Sequence, residues 1–334
     1  MEKPSFSIII PAYNCGRYLE DCVISILDKI SSCDEILLIN DGSTDDSGFI
    51  CENLSVHYSN VISFHTKHFG VAEARNLGIK NASQEYLLFA DGDDRWPSSF
   101  MIDDLRGCLV RDDSELLVLS YQIRQQCGKK ETALAIECPG VRFDNWRENQ
   151  SAFLSLFYRG IMFPCWNKVF RKSIITQNGL SFHQQQMEDF RFVLDYLDRI
   201  PSVSFLPIEG YLYYKRDNEN SLTHNIHAEM INGYNICHQR LLSIFNKENS
   251  KTIHQIMAPQ YIATINKCLN SEDRGLSHAI LDKTRQNPLA QSALKMYQPV
   301  SASDRLSTFL MRKGLYNTLS HYRSIVEAIK RNLY

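Results

Sequence analysis

No two of the ten cysteines stand at C-x-x-C spacing, so neither a zinc knuckle nor a redox dithiol is indicated. No G-x-G-x-x-G run occurs, which removes the fingerprint of a nicotinamide or flavin oxidoreductase. No apolar run approaches the roughly 18 to 20 residues that span a bilayer. The opening Met1-Glu2-Lys3-Pro4-Ser5 leads into only five strand-like residues before Pro11, too short for the apolar core of a signal peptide. The expectation is a cytoplasmic chain with reduced thiols, most of its cysteines acting as small buried hydrophobes. An excess of one charge is lacking too. Lys plus Arg number 36 against 38 Asp plus Glu, a net charge of −2, so no nucleic-acid partner is expected. Internal repeats and low-complexity linkers are absent.

What is present is an ordinary globular composition, 44% hydrophobic and 22% charged over 334 residues, long enough for about two domains. The first 125 residues alternate between two periods. Short runs apolar on both faces, Phe6–Ile10, Glu35–Asn40, Val61–Thr66, Tyr86–Ala90 and Leu116–Tyr121, suit buried parallel strands. Helical stretches lie between them, at about Tyr18–Ile30, Asp45–Leu54, Val71–Asn81 and Ser98–Val110. In the first, Leu19, Val23, Ile26, Leu27 and Ile30 share one face. This alternation predicts an α/β sheet, mostly parallel and flanked by helices, whose ligands sit at the carboxyl ends of the strands. From 126 to 225 the pattern is less regular, with helices near Gln150–Tyr158 and Glu188–Arg199. Short strands are expected near Lys168–Phe170, Val203–Leu206 and Tyr211–Tyr214. Beyond 225 only helical signals remain.

Three polar loops follow three of the strands: Pro11-Ala12-Tyr13-Asn14, Asn40-Asp41-Gly42-Ser43-Thr44-Asp45-Asp46-Ser47 and Asp91-Gly92-Asp93-Asp94. In a parallel sheet they share one edge. Each alone is explained by turn chemistry, and Ser43 or Thr44 is expected to cap the next helix. Three carboxylates in four residues are harder to explain, because they repel one another unless a cation neutralises them. An Asp-x-Asp pair offers the hard oxygens that Mg²⁺ or Mn²⁺ prefers. The loop after the first strand has no Gly-rich run with a basic residue, which sets aside a sugar-phosphate nucleotidyltransferase.

These segments together resemble the family 2 glycosyltransferases of GT-A (Rossmann-like) fold. Ser7–Asn14 resembles that family's first strand and nucleotide-binding loop, and Asn40–Asp45 its second. Gly70-Val71-Ala72-Glu73-Ala74-Arg75-Asn76-Leu77-Gly78-Ile79 resembles the segment that closes over the nucleotide, and Asp91-Gly92-Asp93-Asp94 the metal motif. The resemblance implies that Asp41 hydrogen-bonds uracil and that Pro11, Tyr13 and Asn14 line the nucleotide pocket. It also implies that Asp91 holds ribose or donor sugar and that Asp93 ligates Mn²⁺ or Mg²⁺. Arg75 would lie near the nucleotide; its alternative is a structural ion pair with an acidic loop. In the second half, Cys165-Trp166-Asn167-Lys168 resembles the W-N-K segment, which would put Trp166 and Lys168 on the acceptor side. Gln186-Met187-Glu188-Asp189-Phe190 resembles the Glu-Asp pair whose Asp is the catalytic base, with Glu188 beside it. The alternative is that both acids merely favour the positive end of a helix. Tyr211–His224 resembles the closing segment, which leaves open whether Lys215 or Arg216 meets the diphosphate. His224 falls where a metal-ligating histidine is common, or is structural.

The implied activity is inverting, metal-dependent transfer of one sugar from a UDP-sugar to a hydroxyl acceptor. No Q-x-x-R-W motif is present, which favours a non-processive enzyme. Similar proteins use glycan or polyprenyl-diphosphate-linked acceptors in bacterial surface-polysaccharide assembly; the alternative is an inactive nucleotide- or glycan-binding GT-A protein. The expected organisation is a GT-A domain over 1–225, divided at 125 into nucleotide-binding and acceptor-side halves, then a helical region over 226–334. Within 301–334, Arg305, Arg312, Lys313, Arg323, Lys330 and Arg331 accompany apolar residues at helical spacing. Such a helix suits peripheral contact with the inner face of the plasma membrane or packing on the catalytic domain.

Overall fold

The computed structural model describes residues 3–127, 130–216, 226–299, 302–316 and 318–319. The chain divides into two compact units, Met1–Gln184 with Glu188–Arg216, and Gln185–Met187 with Asp217–Tyr334.

The first unit is built on one nine-stranded sheet. Its first half runs β1 (Phe6–Ala12), α1 (Gly16–Leu27), β2 (Glu35–Asn40), α2 (Ser47–His57), β3 (Val61–His65), α3 (Val71–Asn81), β4 (Tyr86–Phe89) and α4 (Ile102–Asp112). Strands β3, β2, β1 and β4 lie side by side and all parallel. Ile8, Ile9 and Ile10 of β1 and Ile36 to Ile39 of β2 are wholly buried, as strands covered on both faces require. Helix α3 lies so close to the sheet that a Cβ on Gly78 would stand 2.3 Å from Ile9 Cγ2. Only glycine allows that approach.

The second half adds β5 (Leu116–Cys127), β6 (Lys130–Ile136), β7 (Val141–Phe143), α5 (Gln150–Ser155), β8 (Lys168–Arg171), α6 (Lys172–Gln177), α7 (Glu188–Leu197) and β9 (Val203–Lys215). The strand order is β3-β2-β1-β4-β8-β5-β9-β7, with β6 paired to β5. Strand β8 is antiparallel to both β4 and β5, while β9 is parallel to β5. The sheet is therefore mixed, and its parallel block stops at β4. The two strands expected near 203 and 211 are one strand, irregular where its register against β5 shifts at Ser120. Strands β6 and β7 were not foreseen. They are short, exposed edge elements whose apolar residues are broken up by alanine and charge, so no buried run announces them. An aromatic cluster fills the space under α7: Phe182 stacks on Phe192 at 4.0 Å, and Phe89 meets both edge-on.

The second unit holds α8 (Met230–Ile244), α9 (Ser250–Asn270), α10 (Arg274–Gln286), α11 (Pro288–Met296) and α12 (Ala302–Arg312). Asp273 and Asn287 cap α10 and α11 by accepting from Leu276 N and Ala290 N, as short polar side chains do at helix starts. No helix among the described residues is long and apolar enough to cross a membrane. Tail residues 320–334 lie outside the described residues, and the membrane-contact expectation rests partly on them.

Candidate functional site

Strand register determines which loops meet. Ala12 pairs with Asn40, Asn40 with His65, and Ile9 with Phe89. The segments that follow β1, β2, β3 and β4 therefore emerge along one edge. The first two are stitched together. Asn14, in a left-handed conformation at φ 48°, accepts from Thr44 N at 2.8 Å and donates its own N–H to Ser43 Oγ. Ser43 and Thr44 thus serve the loop and do not cap α2. Asp45 anchors that helix start, accepting from Ser47 N at 3.0 Å and from Gly16 N at 3.0 Å.

Asp41 is 2% exposed. Its carboxylate accepts from Thr66 Oγ1 at 3.0 Å, Phe69 N at 2.9 Å and Gly70 N at 2.8 Å, and pairs with His68 Nδ1 at 3.0 Å. A carboxylate has about four acceptor positions, and here the chain itself occupies four. The expected bond from Asp41 to a uracil is available only in place of one of these partners. His68 stacks on exposed Tyr13, with ring centroids 4.0 Å apart. Pro11 is half-buried at the end of β1.

Helix α3 supplies the centre of the site. Asn76 pins the chain at Phe182, donating to its carbonyl at 2.9 Å and accepting from its N–H at 2.8 Å. One residue earlier, buried Arg75 lies over the Phe182 ring. Its Nη2 donates to Asp91 Oδ1 at 2.9 Å, and its Nη1 donates to Glu188 Oε1 at 3.2 Å and to Asp189 Oδ1. Its Nε is buried without a partner. Burial alone would lower the guanidinium, but Asp189 and the other acids outweigh it and hold Arg75 firmly charged. The ion pair with an acidic loop, weighed above as an alternative for Arg75, is present and extends to the Glu-Asp pair at the start of α7.

Burial pushes Asp91 up to about 6 against the pull of Arg75. Burial, then the charge of Asp189, pushes Glu188 up to about 7. Asp94 is fixed inward: Tyr211 Oη donates to Oδ2 at 2.9 Å and Tyr214 N to Oδ1 at 2.7 Å. Burial and the neighbouring Asp93 and Asp91 push it well above the usual carboxylate range. Asp93 differs from Asp94, because its side chain is 39% exposed against 1% and meets Arg216 Nη1 at 3.0 Å. Arg216 lies over the Tyr18 ring at 4.0 Å, whereas Lys215 is exposed. Of the two cations left open, Arg216 is the one that reaches the acidic loop.

Two expectations for the second half change. Lys168 is fully buried, and its Nζ donates to Ile161 O at 2.9 Å, Pro164 O at 2.5 Å and Asn167 Oδ1 at 2.8 Å. It does not face an acceptor. Trp166 is 9% exposed, stacked on Tyr211 at 4.2 Å and edge-on to Tyr121, so it packs behind the acidic loop. Trp166 follows Cys165 in its turn and Lys168 opens β8 just beyond; the Cys165 N–H donates to Asp189 Oδ2 at 3.3 Å. His224 lies outside the described residues.

Sequence reasoning placed Asp94 and Tyr211 within motifs but gave them no role of their own, and it passed over His68. The first two form a buried pair 117 residues apart, for which no local pattern exists. Among the described residues no group of three or more His, Cys, Asp or Glu could hold a metal unaided. An outward Asp93 in a ring of acids nevertheless suits a hard cation completed by substrate oxygens.

The sequence profile of Glycosyl transferase family 2 matches residues 7–177, just over half of the chain. EpsJ of Bacillus subtilis, an uncharacterized glycosyltransferase, is 30% identical over 222 residues, which is 66% of this chain and 63% of EpsJ. The glycosyltransferase GlyG of Streptococcus pneumoniae is 30% identical over 177 residues, 49% of this chain and 58% of GlyG. The chain thus spans about three fifths of the length of these curated relatives. Among solved structures, S. aureus TarS 1-349 in complex with UDP-GlcNAc superposes with a TM-score of 0.65 at 19% identity, covering 98% of this chain and 92% of TarS 1-349. That likeness establishes the GT-A fold. Together with the profile match across the strands and loops that build the site, it leads to one conclusion: this chain belongs to glycosyl transferase family 2.

Proposed function

We propose that the protein is an inverting, non-processive glycosyltransferase. It moves one sugar from a UDP-sugar to a hydroxyl of a glycan or polyprenyl-diphosphate-linked acceptor, in bacterial surface-polysaccharide synthesis. The observation that carries this reading is the Arg75 cluster. One buried guanidinium gathers Asp91, Glu188 and Asp189 at the strand edge where Asp93 is exposed. TarS, a structural relative, was crystallised with UDP-GlcNAc and with UDP, which supports a UDP-linked donor.

In this reading residues 1–125 hold the nucleotide and 126–225 face the acceptor. Tyr13 offers the base a stacking surface, Pro11 and Asn14 shape its loop, and Asp41 holds the 66–70 segment whose His68 stacks on Tyr13. His68 is the exposed partner of Asp41 that can yield to a base. Asp93 would hold Mn²⁺ or Mg²⁺ with the diphosphate, and the cation would neutralise charge on the departing UDP. Arg216 stands beside Asp93 to meet the same charge, and Asp91 offers acceptor oxygens to sugar hydroxyls. At the head of α7, Glu188 is pushed up to about 7, which favours its protonated form, while Asp189 is held between Arg75 and the Cys165 N–H. Asp189 is then the base. As the acceptor oxygen bonds to the anomeric carbon and the bond to UDP breaks, the hydroxyl proton passes to Asp189, and the configuration inverts.

The test is UDP release from a panel of UDP-sugars, with Mn²⁺ and with EDTA. It compares wild type, Asp93→Ala and Asp189→Asn. The expected outcome is metal-dependent release from one donor, lost in Asp93→Ala. Asp189→Asn should fall by roughly 10²- to 10⁴-fold while still binding UDP. Metal-dependent UDP binding with no turnover of any donor would place the chain among binding-only proteins. No UDP binding at all would remove the assignment of the acidic loops.

A further inference from the structure

Lys168 is an ammonium with no solvent contact. Burial pushes it down to about 7, yet it has three acceptors for its three donors, the complement an ammonium needs. Two are the carbonyls of Ile161 and Pro164; the third is Asn167 Oδ1. Asn167 Nδ2 in turn donates to Leu119 O at 2.9 Å and Ile161 O at 3.1 Å, and Leu119 N donates to Asn167 O at 2.8 Å. The turn from 161 to 165 is therefore tied from inside to β5 and to the head of β8. The peptide that follows Pro164 carries the N–H that reaches Asp189 Oδ2. The other oxygen of that carboxylate belongs to Arg75.

We propose that Lys168 is a positioning residue for Asp189: it holds the 161–165 turn so that the Cys165 N–H orients the carboxylate from the side opposite Arg75. The inference rests on the reading of Asp189 as the base. The charged and titratable groups around Asp189 are Arg75 from α3, Glu188 on its own helix, Asp91 after β4, the Cys165 thiol in the turn and Lys168 behind it. Lys168 is the second cation of this set, and it approaches from the acceptor-side half. Loss of it removes both the turn's anchor and a positive charge that favours the ionised base.

The experiment compares wild type, Lys168→Met and Lys168→Gln in two readouts. The first is amide hydrogen exchange over the peptide containing 161–166, with UDP affinity by calorimetry as the check on the nucleotide side. The second is the pH profile of kcat/KM for UDP release from whichever donor the panel identifies. For Lys168→Met, exchange in 161–166 should rise at least tenfold, with 71–81 unchanged and UDP affinity within twofold. Its kcat should fall at least tenfold, and the acid limb should move up by about one pH unit. Lys168→Gln, which keeps donors but not charge, should lie between. Unchanged exchange in 161–166 overturns the proposal. So does lost turnover with an unmoved acid limb, or failure of both variants to fold, which would make Lys168 a folding residue only. If Asp189→Asn is inactive and Lys168→Met normal, this proposal alone falls. If Asp189→Asn stays active, the base assignment falls instead.

Discussion

The two ends of the same parallel strands use buried charge in opposite ways. At the amino end, Asp34 accepts from Phe6 N at 3.0 Å and pairs with Arg106, and both side chains are almost fully buried. Glu35 beside it accepts from Ser7 Oγ at 2.6 Å and Ser83 N at 2.6 Å. Each polar group has its partners, and this edge ties strands together. At the carboxyl end, five carboxylates (Asp91, Asp93, Asp94, Glu188 and Asp189) share two guanidinium groups, Arg75 and Arg216. Asp91 and Glu188 are pushed up toward neutrality, and the Arg75 Nε is unpartnered. A balanced pair is structure. An unbalanced cluster held at a rim is a place where a cation and a charged substrate have something to bind.

That contrast can be broken in several ways, beginning with the largest effect. Arg106→Met leaves Asp34 buried and unpaired, which should cost about 3–5 kcal/mol. Thermal unfolding should register this, while turnover per folded molecule stays unchanged. Were turnover to fall with intact folding, the amino edge would not be purely structural.

The helical unit provides a third case, burial of titratable groups with no charge at all. His238 is fully buried, with Nδ1 3.2 Å from Tyr261 Oη and Nε2 2.9 Å from His254 Nδ1. Burial, then His254, holds His238 down to about 3, and burial lowers His254 as well. Below the ordinary imidazole value of 6.5 the unfolded chain takes up protons that the folded unit refuses. Stability should therefore fall as pH falls, at up to about 1.4 kcal/mol per unit for His238. Comparing melting temperatures from pH 7.5 to 4.5 with those of His238→Gln isolates the effect: the difference should shrink as pH falls.

The smallest effect has the opposite sign. Glu188 is raised from 4.5 to about 7, so the folded protein holds a proton there that the unfolded chain has lost. Its contribution is present at the acid end of that window and disappears as pH rises through it. Glu188→Gln, which mimics the protonated form, should melt about 1 kcal/mol more stably than wild type above pH 7 and converge with it near pH 4.5. Convergence at high pH instead would mean that Glu188 stays ionised.

Much of this molecule is legible in its sequence, for a local reason. Strands apolar on both faces must be covered, so FSIII, EILLIN and YLLFA mark the parallel block, and the loops after them fall on one edge. Helix α3 occupies Val71–Asn81 as its spacing predicts, and the acids of the third loop surface where the sheet ends. The second half is less legible because its motif residues act over distance. Lys168 reads as a polar residue in an acceptor-facing segment, yet three backbone and side-chain oxygens enclose it. In the first half the same holds for one residue: Asp41 reads as a free acceptor, yet the segment 25–29 residues later fills it.

The sequence by itself determined the strands and helices of the first half and the acidic loops, because periodicity and turn chemistry act between neighbours. Only the tertiary structure decided which acid faces outward, which cation meets it, and that one arginine joins residues 91, 188 and 189. Those outcomes depend on burial and on charge partners most of which lie more than 100 residues apart, and neither is encoded in any short stretch of chain.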